Sequence, residues 1–398
     1  MTGPRRVRDP NNYVAEWFGH VVWPPAEVSA TPEAAADQVA GRCPFMSSAT
    51  AVDVPCIKVA SDEGTTFRTG FCTASIPRGD GREDWLACPI RVFDQPFTLI
   101  REAIALLFGL PSQEPFDVYP ISRFGDHEVM AQVESAGTPA GSRLFAFASN
   151  PPALGGEIDI PATPQSPANK VDVTIAEVLG QSEDGGPRLG GFAIFEIQTA
   201  DFHGSPLHAV RNLRRLGPPA RTEGFHAAIA ANPNQLGERV EGPNRANIFK
   251  RTIYQIILKI QMAKDPRCVG FCVVLPEPVW RSWAAHLGGP MLTTDPSDPG
   301  LQRLRAPVDE GDQEVIEAQP AWIIVFRLDR ASDVSPKPLQ IVTRIATDSA
   351  ALIHYAFDAA PEAAIALGAM DRFASAFGTR LSRYWPSGDR GANPPRRR

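Results

Sequence analysis

The chain has 398 residues, 43% hydrophobic and 21% charged, with a net charge of −6. That is an ordinary globular composition, and its acidic balance argues against bulk binding of nucleic acid. No window holds the ~20 unbroken apolar residues of a membrane span. The basic start MTGPRRVRDPNNY lacks the apolar stretch of a signal peptide. The expectation is a soluble, cytoplasmic protein with no membrane partner.

Residues 1–95 are rich in turns and short runs, with little evident core, and a region of that kind calls for a staple. Cys43, Cys56, Cys72 and Cys88 could supply one as a tetrahedral thiolate site. They are separated by 12, 15 and 15 residues, with no Cys-x-x-Cys pair, so free buried cysteines are the alternative. Near residue 96 the pattern changes. PFTLIREAIALLFG (96–109) has apolar spacing at three and four and predicts a helix closed by Gly109. RLFAFAS (143–149) predicts a strand. NKVDVTIAEVL (169–179) alternates, with Val171, Val173 and Ile175 on one face and Asp172 and Thr174 on the other.

The run GFAIFEIQ (191–198) predicts the next strand, antiparallel to 169–179. Its register points Ile194, Glu196 and Gln198 to one face and Phe195 and Ile197 to the other. Polar groups on a core-directed face are costly unless they bind something. An acid followed two residues on by a polar partner, after an Asp on an earlier strand, is how metal-dependent nucleases hold Mg²⁺. The bland alternative is a strand edge with one solvated acid.

Between Phe202 and Arg251 eight basic residues stand against three acids, a net +5, which leaves −11 for the rest. A basic segment after an acidic cluster suits a site that holds a cation and faces phosphates. Residues 206–244 predict a polar, proline-containing connection. RANIFKRTIYQIILKIQMAK then predicts a helix with Asn244 as its N-cap and Phe249, Ile253, Ile256, Ile257 and Ile260 on one stripe. CVGFCVVLP (268–276), AWIIVFRLD (321–329) and LQIVTRIAT (339–347) predict strands. Cys268 and Cys272 read as small core hydrophobes, and Trp280 and Trp283 as a helical core face. Residues 361–384 predict helix, and GANPPRRR a disordered tail. Strand, crossing helix and strand together predict a mixed α/β sheet.

For phosphodiester hydrolysis, Asp172 and Glu196 can be the carboxylate pair and Glu157 a third ligand or a water-positioning group. Gln198 cannot act as a base at neutral pH, but it can hydrogen-bond water or a phosphate oxygen.

Taken in order, AEWFGH (15–20), RCPF and DWLACP at the cysteines, LGGEIDI, VTIAEV, FEIQTADFHGS, LHAV, EGPNRANIFKRTIYQ, PEPVWRSWAAHL and AWIIVFRLD resemble the NotI-type restriction endonucleases, bacterial type II enzymes. The resemblance covers most of residues 15–330. It implies an α/β fold, with a mixed β-sheet nuclease core of the PD-(D/E)xK type flanked by helices. It implies a small N-terminal four-cysteine metal-binding domain at 1–95, and the nuclease core with a C-terminal extension at 96–398. The acidic site maps onto Glu157, Asp172, Glu196 and Gln198, with the glutamine as the family's own replacement for lysine. Cys43, Cys56, Cys72 and Cys88 would bind one structural metal; iron and zinc both suit four thiolates. The family cuts GC-rich palindromes in double-stranded DNA as a homodimer, with Mg²⁺, beside a cognate DNA methyltransferase. Arginine suits guanine-rich targets, so Arg211, Arg214, Arg215, Arg245, Lys250 and Arg251 are the expected DNA contacts. The alternative is a sequence-specific DNA-binding protein with a nuclease fold and no cleavage.

Overall fold

The computed structural model describes residues 11–385 apart from 25–26, 29, 63, 112–113, 137, 139–140, 218–230 and 308–320. Arg221 and the tail GANPPRRR lie outside the described residues. The N-terminal part carries β1 (Tyr13–Trp17), β2 (His20–Val21), α1 (Pro32–Ala40) and α2 (Pro44–Thr50). The hairpin β3 (Val59–Asp62) and β4 (Thr65–Arg68) follows, then β5 (Phe71–Arg78) and β6 (Gly81–Leu86). Strands β2-β1-β5-β6 make one antiparallel sheet. Contrary to the expectation of little core, this part buries Tyr13, Val14, Trp17, Trp23, Phe71 and Ala74. β1 and the first six residues of β5 are buried on both faces, so their burial follows no apolar–polar alternation in the sequence.

The rest is built on a nine-stranded mixed sheet. In chain order come α3 (Thr98–Leu107), β7 (Phe116–Pro120), α4 (His127–Ser135), β8 (Arg143–Ser149), β9 (Ile158–Ile160), β10 (Asn169–Val171), β11 (Val173–Gln181) and β12 (Pro187–Ile197). Next are β13 (Phe202–Gly204), α5 (Leu207–Leu216), β14 (Val240–Pro243), α6 (Arg245–Met262), β15 (Cys268–Pro276) and α7 (Glu277–His286). The chain continues through β16 (Thr293–Asp295), β17 (Asp298–Arg303), β18 (Ala321–Leu328) and β19 (Leu339–Thr347). It closes on α8 (Ser349–Ile353), α9 (Ala360–Ala366) and α10 (Ala369–Ser382). The large sheet runs β16-β17-β19-β18-β15-β12-β11-β8-β7. Its centre joins the antiparallel pair β11–β12 to the parallel run β12-β15-β18.

Strand alternation splits the core into two layers. Ala193, Phe195, Cys272 and Val274 face α3, while Ile194, Phe271, Val273 and Leu275 face α6 and α7. Helix α6 forms where its sequence predicts. Asn244 accepts a hydrogen bond from the Asn247 N–H at 3.3 Å, and Ile248, Phe249, Ile253, Ile256 and Ile260 are buried. Each such side chain contributes about 2 kcal/mol, which anchors the helix along the sheet. α3 ends at Leu107, and the chain turns away at Gly109, whose φ of +62° suits a residue without a Cβ.

The two parts are not independent. Cys43, Cys72 and Cys88 belong to the same apolar cluster as α3 and the sheet residues Phe147, Val173 and Phe195. Arg330 pairs with Asp84 at 2.7 Å and Arg281 with Glu83 at 2.6 Å, both across the boundary. At the other end, α9 and α10 bury none of their residues. Among the described residues no helix is long and apolar enough to cross a membrane.

Candidate active site

The expected single strand 169–179 bends at Asp172, between β10 and β11. Val171 therefore packs toward α6 while Val173 and Ile175 pack on the opposite layer. This corrects the expectation that all three share a face. The cause of the bend lies across the strand pair. The Ile197 N–H donates to the Asp172 carboxylate at 3.0 Å, and the Asp172 N–H donates to Glu196 Oε1 at 3.2 Å. Side-chain carboxylates thus take the places that backbone carbonyls hold elsewhere in the β11–β12 ladder, where Val173 is paired with Phe195.

Glu196 is 8% exposed. Burial, then the neighbouring Asp172 charge, push its carboxyl up to about 7, against the pull of Lys259. Burial also raises Asp172, partly offset by the Ile197 N–H. The Lys259 ammonium lies 2.5 Å from Glu196 Oε2. Gln198 continues β12 through its N–H to the Val274 carbonyl at 2.9 Å. Its Nε2 donates to the Thr199 carbonyl at 2.7 Å, and its Oε1 lies 2.6 Å from Thr252 Oγ1. That hydroxyl is also 2.6 Å from the Ile248 carbonyl, and its single hydrogen serves one of the two. Glu157 accepts from Asn150 at 3.2 Å and from Lys170 at 3.0 Å.

All four expected residues line one cavity of about 490 Å³, together with Thr252, Gln255, Lys170 and Lys259. The sequence pointed to the apolar stripe of α6 and to the basic residues near its start, not to the polar residues that face the cavity. Thr252, Gln255 and Lys259 form a second stripe at spacings of three and four, on the neighbouring face. That polar stripe was the available signal. Two carboxylates, Glu196 buried and Asp172 half-buried, both held above their ordinary range, suit a divalent cation, which would remove the repulsion between them. Among the described residues no three His, Cys, Asp or Glu side chains converge as a ready cage. Lys259 and the Ile197 N–H already take one lone pair each, on Glu196 Oε2 and Asp172 Oδ2.

The four N-terminal cysteines come together. They line an apolar cavity of about 10 Å³, room for one small sphere, with Phe18, Met46 and Ile90. Cys43 and Cys88 each stand at the N-cap of a turn opened by proline, Pro44 before α2 and Pro89 before the short helix Pro89–Phe93. Proline at that position leaves the next N–H groups free, and those of Phe45 and Met46 point at Cys43, those of Ile90 and Arg91 at Cys88. The repeated Cys-Pro dipeptide was the sequence signal for this arrangement. Burial pushes the Cys43 thiol up to about 12 and raises Cys56. A hydrogen bond between Cys72 and Cys88 raises Cys72 and lowers Cys88 to about 6. Four such thiols become four thiolates only with a cation among them, and reaching one requires side-chain rotation from the present arrangement.

The expected DNA contacts divide. Arg211 pairs with Asp62 at 2.6 Å, and Arg214 stacks 4.0 Å from the Phe67 ring, so both hold α5 against the β3–β4 hairpin. Arg245 lies over Trp85 at 5.4 Å, and Arg251 is 3.9 Å from Asp201. Arg215 and Lys250 are exposed. Helix α5 itself was missed in the expected connection, although Leu207, Val210 and Leu213 repeat every three residues. No model of a known protein family matches this chain, and no curated protein matches it.

Proposed function

We propose that this protein is a Mg²⁺-dependent type II restriction endonuclease of the NotI type, cutting double-stranded DNA at a specific GC-rich palindrome. The observation that carries the reading is the juxtaposition of Asp172 and Glu196 in one cavity, beside Gln198 and under a buried lysine. Asp172 and Glu196 would hold the cation, with Glu157 at the rim. When bound, it would make a water more acidic and neutralise phosphate charge. The chain's own groups then do the rest. Gln198 has one amide hydrogen beyond its bond to Thr199, which can orient water or a phosphate oxygen. The exposed Arg215 and Lys250 suit phosphates, which position a duplex without reading it.

On the same reading Cys43, Cys56, Cys72 and Cys88 hold one structural iron or zinc. Two copies act on the two strands of the palindrome, related by a two-fold axis. A cognate methyltransferase protects the host's sites.

The rival is sequence-specific binding without cleavage. The closed Glu196–Lys259 pair is the observation that favours it. Digestion of a sequenced DNA with Mg²⁺, followed by end-mapping, separates the two. The expected result is one defined cut position, with Asp172→Ala slower by about 100-fold or more. Tight binding without scission establishes the rival. Wild-type cutting by Asp172→Ala removes this site from the chemistry.

A further inference from the structure

We propose that Lys259 supplies the positive charge that meets the scissile phosphate, and that its ion pair with Glu196 is a resting arrangement given up when a divalent cation takes the carboxylate. The proposal rests on the nuclease reading and adds to it a catalytic residue from outside the strand motif.

Position comes first. Lys259 sits on α6, 63 residues beyond Glu196, yet its side chain is 5% exposed and lines the acidic cavity. An ammonium buried there for stability alone could have been replaced, with its partner, by apolar residues at little cost. Here the pair instead forms part of the wall of a water-accessible cleft.

The other polar groups in that wall cannot take the role. Gln198 is neutral, so its remaining amide hydrogen can orient a phosphate oxygen but brings no charge to it. Lys170 is 70% exposed at the rim and engaged by Glu157. Lys250 and Arg251 are exposed near the start of α6. Lys259 is thus the cation that stands inside the cavity among the described residues.

The charge balance supplies the motion. In the resting protein one ammonium faces two carboxylates. With a divalent cation held by Asp172 and Glu196, the ammonium would face twice its own charge and would leave Glu196. The flexible four-carbon stem lets Lys259 turn toward the entering phosphate. In the step itself, a water oxygen forms a bond to phosphorus and the bond to one bridging sugar oxygen breaks. The bonding pair leaves with that oxygen, which takes a proton from solvent, and the water's proton passes to solvent. Negative charge accumulates on the non-bridging oxygens during this exchange, and a preplaced ammonium stabilises it there.

Three measurements on wild type, Lys259→Met and Lys259→Arg test the proposal. They are single-turnover cleavage in Mg²⁺, duplex binding in Ca²⁺, and Ca²⁺ binding by the DNA-free protein at pH 9. The expectation is cleavage slower by about 100-fold in Lys259→Met and partly rescued in Lys259→Arg, with duplex binding within about threefold of wild type. Ca²⁺ should bind Lys259→Met at least about threefold more tightly, because one like charge has left the cavity. Cleavage by Lys259→Met at the wild-type rate overturns the proposal. So does a fall in cleavage matched by an equal fall in duplex binding, which marks a purely structural pair. Ca²⁺ binding no tighter than wild type overturns the exchange at Glu196. A wild type that binds DNA and never cuts it sinks the nuclease reading, while the Ca²⁺ arm still decides that exchange.

Discussion

Glu196 keeps its proton to about pH 7 because it is buried and faces Asp172, while Lys259 and the Asp172 N–H pull the other way. Its ordinary value is 4.5. Between those values the folded protein holds a proton that the unfolded chain has released. Stability is therefore full below pH 4.5 and falls as pH rises toward 7, by roughly 3 kcal/mol from this group. Metal-free wild type should lose that much more stability than Glu196→Gln between pH 5 and pH 8 in denaturant titrations, and Mg²⁺ should restore it at pH 8. Parallel curves for the two proteins would show that the carboxyl is not held as described. Glu196 and Gln198 were legible because they interrupt an apolar run, and Asp172 because it stands on the polar face of the strand before it. Lys259 was not. A lysine on a helix reads as a solvated position, and only the packing of α6 across the sheet turns it inward.

At the scale of elements, the Cys-Pro turns suggest that a thiolate metal organises the N-terminal sheet. Elemental analysis of purified protein is expected to find about one iron or zinc per chain. Cys72→Ser should lower both that content and the melting temperature. A metal-free wild type, with a melting temperature unmoved by the substitution, would leave the cysteines as buried hydrophobes. The strands and helices that the sequence made legible are those with sustained apolar runs or periodicity: α3, α6, β8, β12, β15, β18 and β19. Helix α5 escaped because Pro206 and the prolines after it mask its short apolar repeat. The bend at Asp172 escaped because it depends on the Ile197 N–H, a partner 25 residues away.

Across the whole molecule, the C-terminal helices stand apart. Phe357, Ile365, Leu367, Met370, Phe373, Phe377, Tyr384 and Trp385 are each 59–82% exposed. With each aromatic offering 150–250 Å², that surface comes to roughly 1,000 Å² per copy. A standard interface needs about 800 Å² from each partner. The proposed homodimer would need a surface of that size, and a second copy of this chain is the partner we propose for it. Light scattering should find dimers for the wild type and monomers for Phe373→Asp combined with Phe377→Asp, with the fold intact by circular dichroism. A double variant that remains dimeric would move the interface elsewhere.

An apolar face of this kind also ties cutting to mass action. With one proposed nuclease site per chain, breaking both strands of a duplex would draw on two copies joined through α9 and α10. Below the dissociation constant of that pairing, the double-strand cutting rate would rise with the square of protein concentration. Nicking by lone chains would rise only in proportion. Whether a cell accumulates nicks or clean breaks would then depend on how much of the protein it makes.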